Sequence, residues 1–83
     1  MRLDLYLKNT HLFKRRSSAK ALAAEGGILL NGRIAKPGRE VHPGDVLTFL
    51  DEEGWPRRRV EILAEAARPV SKGREPEFFR PIP

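Results

Sequence analysis

Gly26-Gly27-Ile28-Leu29-Leu30-Asn31-Gly32-Arg33-Ile34-Ala35 decides the fold, because the hydrophobic period changes across it. Before the glycines, apolar residues recur every three or four positions; after them they run together or alternate with polar residues. The glycine pair supplies the left-handed conformation that ends a helix. Ile28-Leu29-Leu30 and Arg33-Ile34-Ala35 then read as two strands around Asn31-Gly32. That dipeptide suits a type I′ turn, in which both central residues take positive φ.

Upstream, Ala19, Leu22 and Ala23 share one face of a helix that Ser17 or Ser18 is placed to cap. Leu3, Tyr6 and Leu7 repeat the helical spacing, and Asp4 with Lys8 forms an i, i+4 pair, so a first short helix is predicted from Leu3 to about Asn9. Downstream, Lys36-Pro37-Gly38 and His42-Pro43-Gly44-Asp45 are turns, and Val46 to Leu50 is a β-rich run. Asp51 to Pro56 leads to a strand from Arg57 to Leu63, in which Val60 and Ile62 alternate with charges. The fold class is therefore α+β: two short N-terminal helices packed on a small, largely antiparallel sheet.

From about Ala64 the periodicity is lost, and Pro69, Pro76, Pro81 and Pro83 stand among charges. Residues 1–63 are read as one domain and residues 64–83 as an irregular tail, extended or disordered. Phe78-Phe79 is the tail's one sticky element, expected either to fold back on the domain or to dock a partner.

Eighty-three residues suffice for one small core, and the absence of cysteine removes disulfides and thiolate metal sites. His11 and His42 are the only histidines, 31 positions apart, with no acidic cluster of metal-binding spacing. There is no GxSxG elbow, GxGxxG turn or phosphate loop. No catalytic activity, metal or cofactor is expected. Charges interrupt the apolar residues of the N-terminus, so neither a secretion signal nor a membrane span is read there, and the cytoplasm is the expected location.

The net charge of +5 is unevenly placed. Residues 1–50 carry nine Lys and Arg against Asp4, Glu25, Glu40 and Asp45, whereas residues 51–83 carry seven of each sign. Such asymmetry is expected when one face of a module meets a polyanion. Lys14-Arg15-Arg16-Ser17-Ser18-Ala19-Lys20 is its centre. Cations before a helix N-terminus oppose the helix dipole at a cost on the order of a few tenths of a kcal/mol each. A phosphate there would be held by free backbone N–H groups, by the hydroxyls of Ser17 and Ser18, and by guanidinium forks. Lys20 lies one turn beyond Arg16 and extends the same face, while a solvated charge run is the plainer alternative. Arg57-Arg58-Arg59 ranks second because Asp51, Glu52 and Glu53 neutralise it. The six aromatic residues show no interleaving with cations, which favours folded RNA read by shape and phosphate over single strands read by stacking.

Arg2-Leu3-Asp4, the Lys14 to Lys20 segment, Gly27-Ile28, Leu30-Asn31-Gly32, Lys36-Pro37 and Val41-His42-Pro43-Gly44-Asp45-Val46-Leu47 together resemble the RNA-binding S4 domain family, named after a small-subunit ribosomal protein, over about residues 1–62. The resemblance implies that the two helices and their connecting loop face RNA, with Arg2, Lys14, Arg15, Arg16 and Lys20 as contacts and Arg33 and Lys36 beside them. It implies that Asp4 orients a nearby arginine. A chain this short is similar to the family's stand-alone members. These imply large-subunit rRNA, tRNA or peptidyl-tRNA and the obstructed large ribosomal subunit as partners, no membrane, and a monomer assisting quality control of stalled nascent chains. A heat-shock-type recycling factor and a protein adaptor using the Phe78-Phe79 tail are the alternatives.

Overall fold

The computed structural model describes all residues, Met1–Pro83. Helices α1 (Leu3–Asn9) and α2 (Arg16–Ala24) precede strands β1 (Ile28–Leu30), β2 (Arg33–Ile34), β3 (Val46–Leu50) and β4 (Pro56–Ile62). A 3-10 turn at Glu75–Glu77 then leads into β5 (Phe79–Pro81). The strands form one antiparallel sheet in the order β2-β1-β3-β4-β5. The expected α+β class is observed, with β5 as an additional strand.

Burial explains the packing. Leu3, Tyr6 and Leu7 of α1 and Ala19 and Ala23 of α2 meet Ile28, Leu30, Leu47, Phe49, Val60 and Ile62 from the sheet. The two alanines on α2 keep its backbone close to its neighbours. The strand residues are the alternate positions that share the helix-facing side of the pleat.

The turn chemistry follows the sequence closely. Gly26 takes φ +82°, and its N–H donates to Ala23 O while the Gly27 N–H donates to Leu22 O at 2.9 Å, the paired bonds of a Schellman ending. Asn31 and Gly32 both have positive φ, as a type I′ hairpin requires. Asn31 also reaches across to β3: its Oδ1 accepts the Val46 N–H at 2.9 Å and its Nδ2 donates to Asp45.

The start of α2 differs from expectation. Its N-cap is Arg15, in extended conformation, with no side-chain capping bond, and Ser17 and Ser18 lie exposed inside the first turn. The helix begins at Arg16, which places that residue's guanidinium 3.4 Å from Asp4 of α1. Helix α1 likewise lacks a side-chain cap; its Leu3 and Asp4 N–H groups donate to Arg39 O and Pro37 O of the loop before Val41. Strand β4 ends at Ile62, one residue short of expectation, as Leu63 turns outward.

The segment 64–83, expected as an extended or disordered tail, lies back over the domain. Ala66, Val70 and Phe79 are buried in the common core. Phe78 O accepts the Tyr6 hydroxyl at 2.7 Å together with the Leu63 and Ala64 N–H groups. Asn9 donates to Ala66 O and accepts from the Val70 N–H, and His11 Nε2 stands 2.7 Å from Val70 O. The apolar residues of this segment are too sparse to show a period, yet each lands in a gap left by α1 and β4. Strand β4 therefore has a neighbour on both sides, β3 and β5.

Candidate nucleic-acid interface

Asp4 organises the basic face. Its carboxylate is buried on α1, and Oδ1 accepts the Leu5 N–H at 2.8 Å and Arg2 Nε at 3.1 Å. Oδ2 accepts Arg2 Nη2 at 3.2 Å and lies 3.4 Å from Arg16 Nε on α2. Burial pushes the Asp4 carboxyl upward, but hydrogen bonds from Arg2, Arg16 and the Leu5 N–H, with the charge of Arg16, outweigh it and hold the carboxyl below its ordinary value. It remains ionised. The hydrogen bond from Arg2 to Asp4, with the charge of that carboxylate, raises the Arg2 pKa in turn.

Both guanidiniums stay about half exposed, so one face of each is fixed by Asp4 while other N–H groups point to solvent. Arg2 also lies against Gly38, where a Cβ would stand 3.4 Å from Nη2. A larger residue there would crowd the guanidinium. The arrangement offers two preset forks of the kind that grip phosphate oxygens in bidentate fashion.

Around this pair the other expected residues fall into two groups. Lys14 and Arg15 in the inter-helix loop and Lys20 on α2 are exposed and make no ion pair with a carboxylate. Lys36 lies on the loop whose Pro37 carbonyl receives the Asp4 N–H, and so sits beside α1's N-terminus. Arg33 stands farther off on the edge strand β2. It shares a hollow with Leu30, Ile34, Ala35 and Arg39. Arg39 was not among the residues expected; its carbonyl accepts the Leu3 N–H and its side chain is exposed. Only its position in the Pro37–Glu40 segment hinted at this, since nothing in the sequence shows that the segment closes on α1. Ser17 and Ser18 make no capping bond and lie exposed in the first turn of α2.

His11 and His42 stand apart from this face chemically. His11 fastens the inter-helix loop to Val70, and His42 belongs to the turn closed by Asp45. No group of three or more His, Asp or Glu side chains converges on a point that would hold a metal, and no helix is long and apolar enough to cross a membrane.

The profile of the S4 domain family matches residues 1–47, which hold both helices, the β1–β2 hairpin and the start of β3. The chain belongs to the S4 domain family. This S4-domain chain is 44% identical over 68 residues to a protein of Listeria monocytogenes named RQC P-site tRNA stabilizing factor, a match covering 82% of this chain and 74% of the relative. The protein of the same name from Bacillus subtilis is 52% identical over 48 residues, covering 58% of this chain and 56% of that one. Among solved structures, the hypothetical protein HP1423 superposes with a TM-score of 0.80 at 30% identity, over all of this chain and 98% of the other. Heat Shock Protein 15 of Vibrio cholerae, described as trimeric, superposes with a TM-score of 0.85 over 99% of this chain and 81% of its own, at 24% identity. That last likeness shows the shared fold.

Proposed function

We propose that this chain is an RNA-binding protein, not an enzyme, that holds peptidyl-tRNA and large-subunit rRNA on obstructed large ribosomal subunits during quality control of stalled nascent chains. The observation that carries the reading is the Asp4-anchored pair of Arg2 and Arg16 on the helical face, with unpaired Lys14, Arg15 and Lys20 around it. Relatives named RQC P-site tRNA stabilizing factor supply the address. Arg33 and Lys36 extend the contact, and the protein acts as a cytoplasmic monomer.

The adaptor alternative has little left to use. Phe79 is buried and Phe78 is partly buried against the core, so the tail offers no free aromatic pair. The heat-shock alternative rests on likeness of fold, whereas the names of the more similar sequences favour quality control.

The test is co-sedimentation with large subunits carrying peptidyl-tRNA. Arg16→Ala is expected to weaken binding by about tenfold, roughly 1.4 kcal/mol, with unchanged far-ultraviolet dichroism. If five to seven phosphates are neutralised, log affinity falls with log salt at a slope of roughly −4 to −6. Undiminished binding by Arg16→Ala would sink the site, and a flat salt response would sink the electrostatic basis.

A further inference from the structure

The three consecutive arginines of β4 have different fates. Arg57 Nε is 2.7 Å from Asp51 Oδ2, in a turn where Asp51 Oδ1 also accepts the Glu53 and Trp55 N–H groups. Arg59 Nη1 donates to Pro83 O at 2.6 Å. Arg58 is exposed and pairs with no carboxylate; its guanidinium carbon lies 5.9 Å from the centroid of the Phe79 ring. The carboxylates nearest in the ladder are engaged elsewhere, Asp51 with Arg57 and Glu61 with Arg80.

The pleat settles which way Arg58 points. Val60 and Ile62, two and four residues on, are buried on the helix side of the sheet, so Arg58 shares that side. Its cross-strand neighbour is Phe49, whose ring centroid is 5.7 Å from that of Phe13, the residue preceding Lys14. Arg58 therefore emerges on the same side as the inter-helix loop, with Lys14 and Arg15 beyond the Phe13–Phe49 contact. All three cations are exposed and lack an acidic partner. A guanidinium lying on an aromatic ring keeps its N–H edges available for a phosphate, while the ring restrains its stem.

We propose that Arg58 is a further phosphate-binding residue, carrying the RNA-binding face from the inter-helix loop onto β4, with Phe79 of the returning segment as its platform. The proposal rests on the RNA-binding reading above and extends it past residues 1–47, the part that the family profile matches. It makes the C-terminal segment a component of the binding surface.

The full chain is titrated onto large subunits carrying peptidyl-tRNA across a potassium chloride series at fixed magnesium. Arg58→Gln keeps a stem over Phe79 and removes the charge; it is expected to weaken binding about three- to tenfold and to reduce the magnitude of the salt slope by about one. Arg58→Lys retains the slope, and Arg57→Ala, whose guanidinium is already engaged by Asp51, stays within about twofold of the unaltered chain. Wild-type affinity and slope for Arg58→Gln, alongside lost binding for Arg16→Ala, overturn the proposal and leave the wider reading standing. Unaltered binding by both overturns both. A lowered melting temperature for Arg58→Gln with an unaltered slope assigns Arg58 to the fold alone and equally overturns the proposal.

Discussion

Asp4 Oδ2 stands 3.4 Å from Arg16 Nε, joining the first turn of α1 to the first residue of α2. The same carboxylate forks onto Arg2, so one buried anion sets two surface cations. Replacing Asp4 by Asn keeps the shape but removes the charge that both guanidiniums face. Asp4→Asn is expected to cost about 1–3 kcal/mol of stability and to reduce subunit binding as strongly as Arg16→Ala. Urea unfolding and co-sedimentation read the two effects separately; an Asp4→Asn chain that binds normally would mean the arginines need no anchor.

The same group gives the protein an acid limb. The folded-state pKa of Asp4 is depressed below the unfolded carboxylate value of about 3.9, so its contribution to stability is complete above that value. It is lost as pH falls through the lower folded value. Thermal melts between pH 6 and pH 2 are expected to fall more steeply for the unaltered chain than for Asp4→Asn below about pH 4. Parallel curves for the two chains would remove Asp4 as the cause.

Tyr6 tests the attachment of the C-terminal segment. Its hydroxyl donates to Phe78 O at 2.7 Å, and burial pushes its pKa well above the ordinary phenol value, so it stays a donor at any working pH. Tyr6→Phe removes that bond alone and is expected to cost about 0.5–1.5 kcal/mol. Amide exchange at Leu63 and Ala64, whose N–H groups share the Phe78 carbonyl, should quicken before that at Leu47 in the middle of the sheet. Uniform acceleration across the sheet would show that the segment does not open by itself.

Truncation after residue 63 asks whether the first part of the chain is self-sufficient. The cut removes Ala66, Val70 and Phe79 from the core and takes away the acceptors used by Asn9 and Tyr6. Residues 1–63 alone are expected to lose cooperative unfolding in urea, since small cores have little stability to spare. A sharp transition at an unchanged midpoint would refute this.

Local chemistry made much of the fold legible. Gly26-Gly27 ends α2, Asn31-Gly32 makes the hairpin, and α1 runs over the residues its spacing predicts, because each depends on neighbours in sequence. The start of α2 departs from the serine-cap pattern: Arg15 is the N-cap, with no side-chain capping bond, and Arg16 meets Asp4, a residue distant in sequence. The fate of residues 64–83 was hidden for a related reason: single apolar residues such as Val70 and Phe79 show no period, and only the finished core reveals the gaps they fill. Within the site, Asp4 and the Lys14 to Lys20 run stood out as types and charges. Arg39, and Arg58 as proposed above, needed the closing of distant segments to acquire their neighbours.

Strand β5 comes from residues 79–81 and completes the β4 side of the sheet. During synthesis, both helices leave the ribosome long before the strand that supports them from behind. Until residues 79–81 emerge, β4 has an open edge and the Tyr6 hydroxyl lacks its acceptor. Final consolidation of this protein therefore awaits the emergence of residues 79–81, the strand that closes the β4 edge.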